Sequence, residues 1–247
     1  MTKPELIDFE ALTFDVYGTL IDWESGMVAG LKPLTDALEA DGRGLTRDQI
    51  LEAHAFHEST QQRWTPGMRY RDLLPIVYKR LAEEWGLEIT LADCIAYGKS
   101  VRDWPAFADS AGALQYLKQH YKLVVLSNVD NESFSHSLKK LGVEFDAVYT
   151  AEDVGSYKPE DRNFDYMLEK LDRLGVAKDK ILHTAESMFH DHGPANKHGL
   201  TSCWIYRRHE QEGFGATMNP GEMPSYKFRF NSMADLAKAH QASLRGE

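Results

Sequence analysis

Four groups of polar residues follow apolar, β-type runs in this chain, and together their side chains could do nucleophilic or acid–base chemistry. Asp15 closes the run in Ala11-Leu12-Thr13-Phe14-Asp15-Val16-Tyr17-Gly18-Thr19-Leu20. Ser127 and Asn128 follow a second run, Lys158-Pro159 comes a short loop after a third, and Glu186 and Asp191 follow a fourth. Open α/β sheets bind ligands outside the carboxyl ends of their strands. These loops would therefore bring a carboxylate, a hydroxyl with an amide, an ammonium and one or two further carboxylates to the same edge. Each residue also has a plainer reading. Asp15-Val16-Tyr17-Gly18-Thr19 could be an ordinary turn, Ser127-Asn128 a helix N-cap, Lys158 a solvated cation and Asp191 a surface acid near a helix start. Chance would scatter such groups over both edges, so their convergence argues against the plainer readings as a set.

The elements that must position these residues alternate. After the first strand, apolar runs at 123–126, 147–150, 181–184 and 202–206 read as strands, and segments at 111–120, 132–141, 164–174 and 195–198 read as helices between them. Strand–helix alternation predicts a doubly wound parallel sheet. Residues 23–104 interrupt it with helical spacing only. Val28, Leu31, Leu34 and Leu38 form one stripe, and Leu73, Leu74, Val77, Leu81 and Trp85 another, with Gly42 and Gly86 as stops. Trp64, Tyr70 and Trp85 in this insert would build either its interior or a homodimer interface.

A chain of 247 residues, 43% of them hydrophobic, can bury one large core or a core with a smaller companion. The net charge of −10 and the shortness of the basic pairs Lys139-Lys140 and Arg207-Arg208 argue against nucleic acid and anionic membranes as partners. Cys94 and Cys203 lie outside any metal-binding spacing and read as two reduced thiols. The first residues show no apolar signal region, and no run approaches the roughly 18 apolar residues of a membrane span, so a cytoplasmic location is expected.

The residues resemble the haloacid dehalogenase superfamily, and more narrowly its type II 2-haloacid dehalogenase branch. Phe14-Asp15-Val16-Tyr17-Gly18-Thr19-Leu20 is similar to the family's first motif, Leu126-Ser127-Asn128 to its second, Tyr157-Lys158-Pro159 to its third and residues 185–207 to its fourth. The resemblance implies a Rossmann-like core over 1–21 and 105–247 and a helical cap domain over 22–104. It also implies a hydrolase that acts without a cofactor on a small haloacid. Superfamily phosphatases carry a second Asp two residues after the nucleophile, and here that place is Tyr17. A phosphate ester's alcohol needs a general acid to leave, whereas a halide departs unprotonated, and a second carboxylate would repel it. Asp15, already an anion, could attack the halogen-bearing carbon and form an ester that water then hydrolyses.

By the same resemblance, Lys158 keeps Asp15 ionised, Asp191 activates the water, and Thr19 holds the nucleophile. Lys158→Ala would then cost activity with only a modest change in stability. Tyr17 offers the substrate its ring and hydroxyl, Ser127 binds the substrate carboxylate, and Asn128 solvates the halide. The family's cap arginine is missing. At its spacing stand His54 and His57, either of which could bind halide as a cation, with halide release falling as it loses its proton, or could belong to a solvated helix face. A compact cation would suit fluoride, so fluoroacetate is expected as a substrate beside chloroacetate. A second departure leaves another reading open. Glu186 and Asp191 have the spacing with which superfamily phosphatases hold Mg2+, so Asp15, Glu186 and Asp191 could form a metal site in a magnesium-dependent phosphatase. A catalytically silent binding module is the third reading, weakened by the intact set Asp15, Lys158 and Asp191.

Overall fold

In this computed structural model, which describes residues 4–246, six strands form one parallel sheet in the order β3-β2-β1-β4-β5-β6. They are β1 (Ala11–Phe14), β2 (Lys122–Ser127), β3 (Ala147–Thr150), β4 (Ile181–Ala185), β5 (Thr201–Ile205) and β6 (Phe228–Phe230). The chain leaves β1 for β2 and β3 and returns on its other side through β4, so β1 lies at the point where the strand order reverses. Register pairs Phe14 with Val125 on one side and with Thr184 on the other. The residues after these positions therefore emerge level at one edge.

Both faces of the sheet are covered, which is why its central strands read as unbroken apolar runs rather than as alternating ones. Helices α5 (Ser110–Leu117), α6 (Asn131–Leu141) and α10 (Met233–Arg245) pack Leu114, Phe134 and Leu236 on the face carrying Leu12, Phe14 and Val125. Helix α8 (Asp161–Arg173) and the short α9 (Gly193–Lys197) place Phe164, Met167 and Ala195 on the face carrying Ala11 and Val124. A one-turn helix, α7 (Ala151–Val154), follows β3. Fully burying a leucine or phenylalanine contributes about 1.5–3 kcal/mol, so each face is a substantial store of stability.

Four helices separate β1 from α5 in the chain: α1 (Trp23–Ala40), α2 (Arg47–Trp64), α3 (Tyr70–Trp85) and α4 (Leu91–Lys99). Asp22 caps α1 by accepting from the Ser25 N–H at 3.1 Å. Thr46 and Gln49 close a reciprocal capping box on α2. Helix α3 stops at Gly86, whose φ of +67° suits glycine. Leu31, Leu34 and Leu38 face Leu73, Leu74, Val77 and Leu81 in one apolar cluster. Tyr70 and Trp85 are buried and Trp64 is 68% exposed, with the Arg80 guanidinium 4.8 Å from its ring. The helical segment fastens to the sheet through the Arg71 N–H, which donates to Asp130 at 3.0 Å, and through the Tyr157 hydroxyl, which donates to the Met68 carbonyl.

The last strand, β6, is three residues long and leaves too little periodicity to read, whereas α10 carries a Ser232 cap and a buried stripe of Met233, Leu236 and Ala237 that sequence reasoning missed. Cys94 and Cys203 are buried free thiols. Among the described residues, no helix is long and apolar enough to cross a membrane.

Candidate active site

The site grows from the turn that ends β1. The Asp15 N–H extends the ladder by donating to the Thr184 carbonyl at 3.1 Å, and the chain then folds back so that Leu20 N–H reaches the Val16 carbonyl at 2.7 Å. Gly18 makes the fold possible. Its φ is +98°, and a Cβ there would stand 3.0 Å from the Trp23 indole nitrogen. The turn carries Thr19 under Asp15, where its hydroxyl donates to Asp15 Oδ2 at 2.7 Å and accepts from the Glu186 N–H at 2.9 Å. One carboxylate oxygen is thereby fixed by its own strand's loop and, through Thr19, by the loop after β4.

Lys158 is 1% exposed, too buried for a solvated loop cation. Its Nζ donates to Asp15 Oδ1 at 3.0 Å and to Asp191 Oδ1 at 2.6 Å. Asn128 holds the lysine's backbone at both ends: its Oδ1 accepts from the Lys158 N–H at 2.6 Å and its Nδ2 donates to the Lys158 carbonyl at 3.0 Å. The Asn128 carbonyl oxygen and one amide N–H are thus committed to the scaffold, and the second N–H is the one donor the residue keeps where it lines the cavity. The plainer cap reading falls, since Asp130, not Ser127 or Asn128, caps α6.

Asp191 is fully buried on a π-helical turn, Met188–His192. Its Oδ1 also takes a hydrogen bond from His183 Nε2 at 3.0 Å, and His183 Nδ1 faces the Thr13 hydroxyl at 2.8 Å. With Nε2 donating to a carboxylate, Nδ1 accepts from Thr13. Both donors use the same oxygen of Asp191, and Oδ2 is buried without a partner.

The charges separate the two aspartates. Burial pushes the Asp15 carboxyl up, ahead of the opposing pull of Lys158, and the Asp191 charge adds to the rise. Burial acts on Asp191 in the same sense, but Lys158 and the His183 hydrogen bond outweigh it and hold that carboxyl well below the usual range. Burial also opposes the Lys158 ammonium, and the two carboxylates outweigh it and raise its pKa. Asp191 is therefore the firmly ionised partner and Asp15 the more basic, more reactive one.

These groups open onto a cavity of about 30 Å³ that is lined also by Tyr17, Glu58, Tyr70, Ser127, His190 and Thr217. Ser127 Oγ is buried and unpartnered there. The Tyr17 ring faces the cavity, but its hydroxyl is engaged with Ser137 Oγ at 2.7 Å, so it offers a wall rather than a hydroxyl. His190 is close to Asp191 in sequence and in space. Burial holds its pKa below 6.5, and its Nδ1 stands 3.1 Å from Ser187 Oγ.

His54 and His57 are not among the lining residues, which corrects the expectation of a halide-binding cation at either position. His57 turns to Glu84, 2.5 Å away, and His54 is buried one layer back, its Nδ1 3.3 Å from Glu58. The helical segment presents an acid and a phenol to the cavity. The metal set fares no better. Glu186 lines a separate cavity of about 110 Å³ with Arg207 and Arg208, and its part-buried carboxyl is pushed up to about 8, chiefly by burial and next by Glu24. Among the described residues, no three His, Cys, Asp or Glu side chains gather as a metal site would need. The donor set Asp15, Glu186 and Asp191 does not fit a divalent ion.

Sequence reasoning missed His183, His190, Glu58 and Tyr70. A histidine inside the apolar run 181–185 was the available signal for the first, since a polar side chain in a doubly covered strand must find a partner. Glu58 had none, because α2 buries a polar face of Ser59, Gln61 and Gln62 that reads as solvated.

A family model of haloacid dehalogenase-like hydrolases matches residues 9–184. The chain is 27% identical over 237 residues to (S)-2-haloacid dehalogenase 4A of Burkholderia cepacia, with 92% of each chain covered. It is 24% identical over 204 residues to haloacetate dehalogenase H-2 of Moraxella sp. (strain B), covering 80% of this chain and 86% of that one. The L-2-haloacid dehalogenase from Xanthobacter autotrophicus, solved with chloropropionic acid covalently bound, superimposes with a TM-score of 0.72 at 18% identity over 94% of this chain and 98% of its own.

Proposed function

The chain belongs to the haloacid dehalogenase-like hydrolase family, and from that premise we propose that it hydrolyses the carbon–halogen bond of short 2-haloalkanoic acids, chloroacetate and fluoroacetate among them. The observation that carries this reading is the surrounding of Asp15. The carboxylate is buried, held by Thr19 and Lys158, and has the Tyr17 ring where a phosphatase needs its acid. An ionised carboxylate is its own nucleophile, so the reaction requires no cofactor. The dehalogenase names of the two sequence relatives point the same way.

In the first step an Asp15 oxygen attacks the carbon bearing the halogen. The carbon–halogen bond breaks with its electron pair, and an aspartyl ester forms. Lys158 and Thr19 hold the nucleophile while its negative charge passes to the departing halide. The leaving halide meets the His190 ring. Ser187 Oγ accepts from the His190 backbone N–H at 3.0 Å and stands 3.1 Å from Nδ1; in the tautomer this scheme uses, the hydroxyl donates to Nδ1 and Nε2 carries the ring proton as the donor. In the second step, water positioned on the free Oδ2 of Asp191 adds to the ester carbonyl and releases the hydroxy acid. Ser127 binds the substrate's carboxyl end. Residues 22–104 act as the cap over a core of 1–21 and 105–247, with Glu58 and Tyr70 of the cap lining the cavity.

Single-turnover reaction with chloroacetate in heavy-oxygen water tests the scheme. The label should enter Asp15 first and be absent from the first equivalent of glycolate. Label passing directly into product would mean that water, not Asp15, displaces the halide.

A further inference from the structure

The reaction just proposed fixes the electrophilic carbon and the leaving group, but not the charge of the group beside them. The cavity walls speak to that charge. Three acids, Asp15, Asp191 and Glu58, line it, and Lys158 is the only lysine or arginine among the lining residues. Its ammonium is already shared between Asp15 and Asp191. His190 adds a neutral ring, and the tyrosine hydroxyls are held as phenols, with burial and then Glu58 raising Tyr70.

Glu58 is 7% exposed, and its buried setting is built around it. Oε1 accepts from Gln62 Nε2 at 2.9 Å, and Oε2 faces His54 Nδ1 at 3.3 Å. A carboxyl group has about four acceptor positions; Gln62, His54 and the Tyr70 hydroxyl, which also hydrogen-bonds Glu58, orient it and leave about one acceptor position toward the cavity. In the same cavity Ser127 Oγ is a buried hydroxyl with no partner. Glu58 therefore presents an acceptor from α2 and Ser127 a donor from the loop after β2, beside the His190 ring N–H already placed at the halide. A substrate carboxylate offers acceptors to both and brings a further negative charge into an acid-lined space. A primary amide offers its oxygen to Ser127 and its N–H groups to Glu58.

We propose that this site takes neutral 2-haloamides as substrates in preference to the free 2-haloacids, with Glu58 as the residue that selects them. The inference rests on the Asp15 displacement reading above. Asp15 attacks the carbon bearing the halogen, halide leaves with the bonding pair, and water then splits the aspartyl ester. The products are the 2-hydroxyamide, halide and one proton, with Asp15 regenerated. The amide C–N bond stays intact throughout.

The test is kcat/KM for chloride release from chloroacetamide and chloroacetate, with ammonia assayed alongside, in the wild type and in Glu58→Gln. The wild type should favour the amide by about tenfold or more, the scale of misplacing one charge in a desolvated site, and should release no ammonia. Glu58→Gln should narrow or reverse that ratio, mostly through KM. Inhibition of the wild type by products gives the same reading without a variant: glycolamide should inhibit at lower concentration than glycolate. Preference for chloroacetate in the wild type, a ratio unmoved by Glu58→Gln in folded protein, or stronger inhibition by glycolate would each overturn the proposal while leaving the dehalogenation reading intact. Chloride from neither substrate, with no adduct on Asp15, would sink both.

Discussion

His183 Nε2 lies 3.0 Å from Asp191 Oδ1, the oxygen that Lys158 also occupies, so both donors crowd one side of the carboxylate and leave Oδ2 without a partner. This one-sided arrangement aims the free oxygen. A carboxylate held only by Lys158 could rotate and spend either oxygen on it.

His183→Leu should therefore slow hydrolysis of the aspartyl ester more than its formation, by about a hundredfold, the scale of misplacing a reacting group. Covalent adduct should build up and be visible by mass spectrometry. His183→Gln, which keeps a donor, should recover part of the rate. Equal slowing of both steps, or none, would reduce His183 to packing between Thr13 and Phe164, against whose ring it sits edge-on at 5.2 Å.

Asp15→Asn should abolish turnover without loss of stability. Burial raises the Asp15 pKa, so the folded protein binds that proton more tightly than the unfolded chain does, and the ionised form costs stability at neutral pH. A neutral amide removes the cost and leaves Lys158 paired with Asp191. The melting temperature should stay level or rise, and a clear fall would show that the Asp15 charge supports the fold.

Lys158→Ala should cost activity by about two to three orders of magnitude, as loss of a preorganised charge does. The modest stability change expected from the sequence does not survive the geometry. Removing a cation from between two buried carboxylates costs about 3–5 kcal/mol. The loss should shrink as pH falls and the stranded carboxylates take up protons. Melting curves of the variant and the wild type between neutral and acid pH check the sign: a difference that widens toward acid would contradict the pairing.

The sheet, the helical insert and the edge where the loops meet were legible because they rest on periodicity and on strand ends. Asp15, Lys158 and Asp191 stand together for that reason. Roles that depend on rotamer and partner were not legible. Asn128 occupies the right loop, but its carbonyl oxygen and one of its two N–H groups hold the Lys158 backbone, a duty that no sequence pattern announces. His54 and His57 lie on the helix that reaches the cavity, yet Glu58 on that helix lines it in their place. A helix turns about 100° per residue, so a spacing that fixes the turn still leaves the face undetermined by a single position.

That shift of face moves the leaving-group prediction to His190. His190→Phe should impair fluoride release from fluoroacetate more than chloride release from chloroacetate, because fluoride depends most on a donor to leave. A hydrogen bond to a charged group contributes about 1.5–3 kcal/mol, so the expected extra loss is roughly ten- to a hundredfold. The pH dependence differs from that of a cationic histidine. Burial lowers the His190 pKa, so the ring is neutral already at neutral pH and release should not decline as pH rises through the ordinary histidine range. On the acid side, kcat/KM should fall as Asp15 takes up its proton, while Asp191 stays ionised to lower pH. His54→Asn and His57→Asn should leave the fluoride-to-chloride ratio near that of the wild type. A ratio changed by either of these and untouched by His190→Phe would return the halide to the cap histidines.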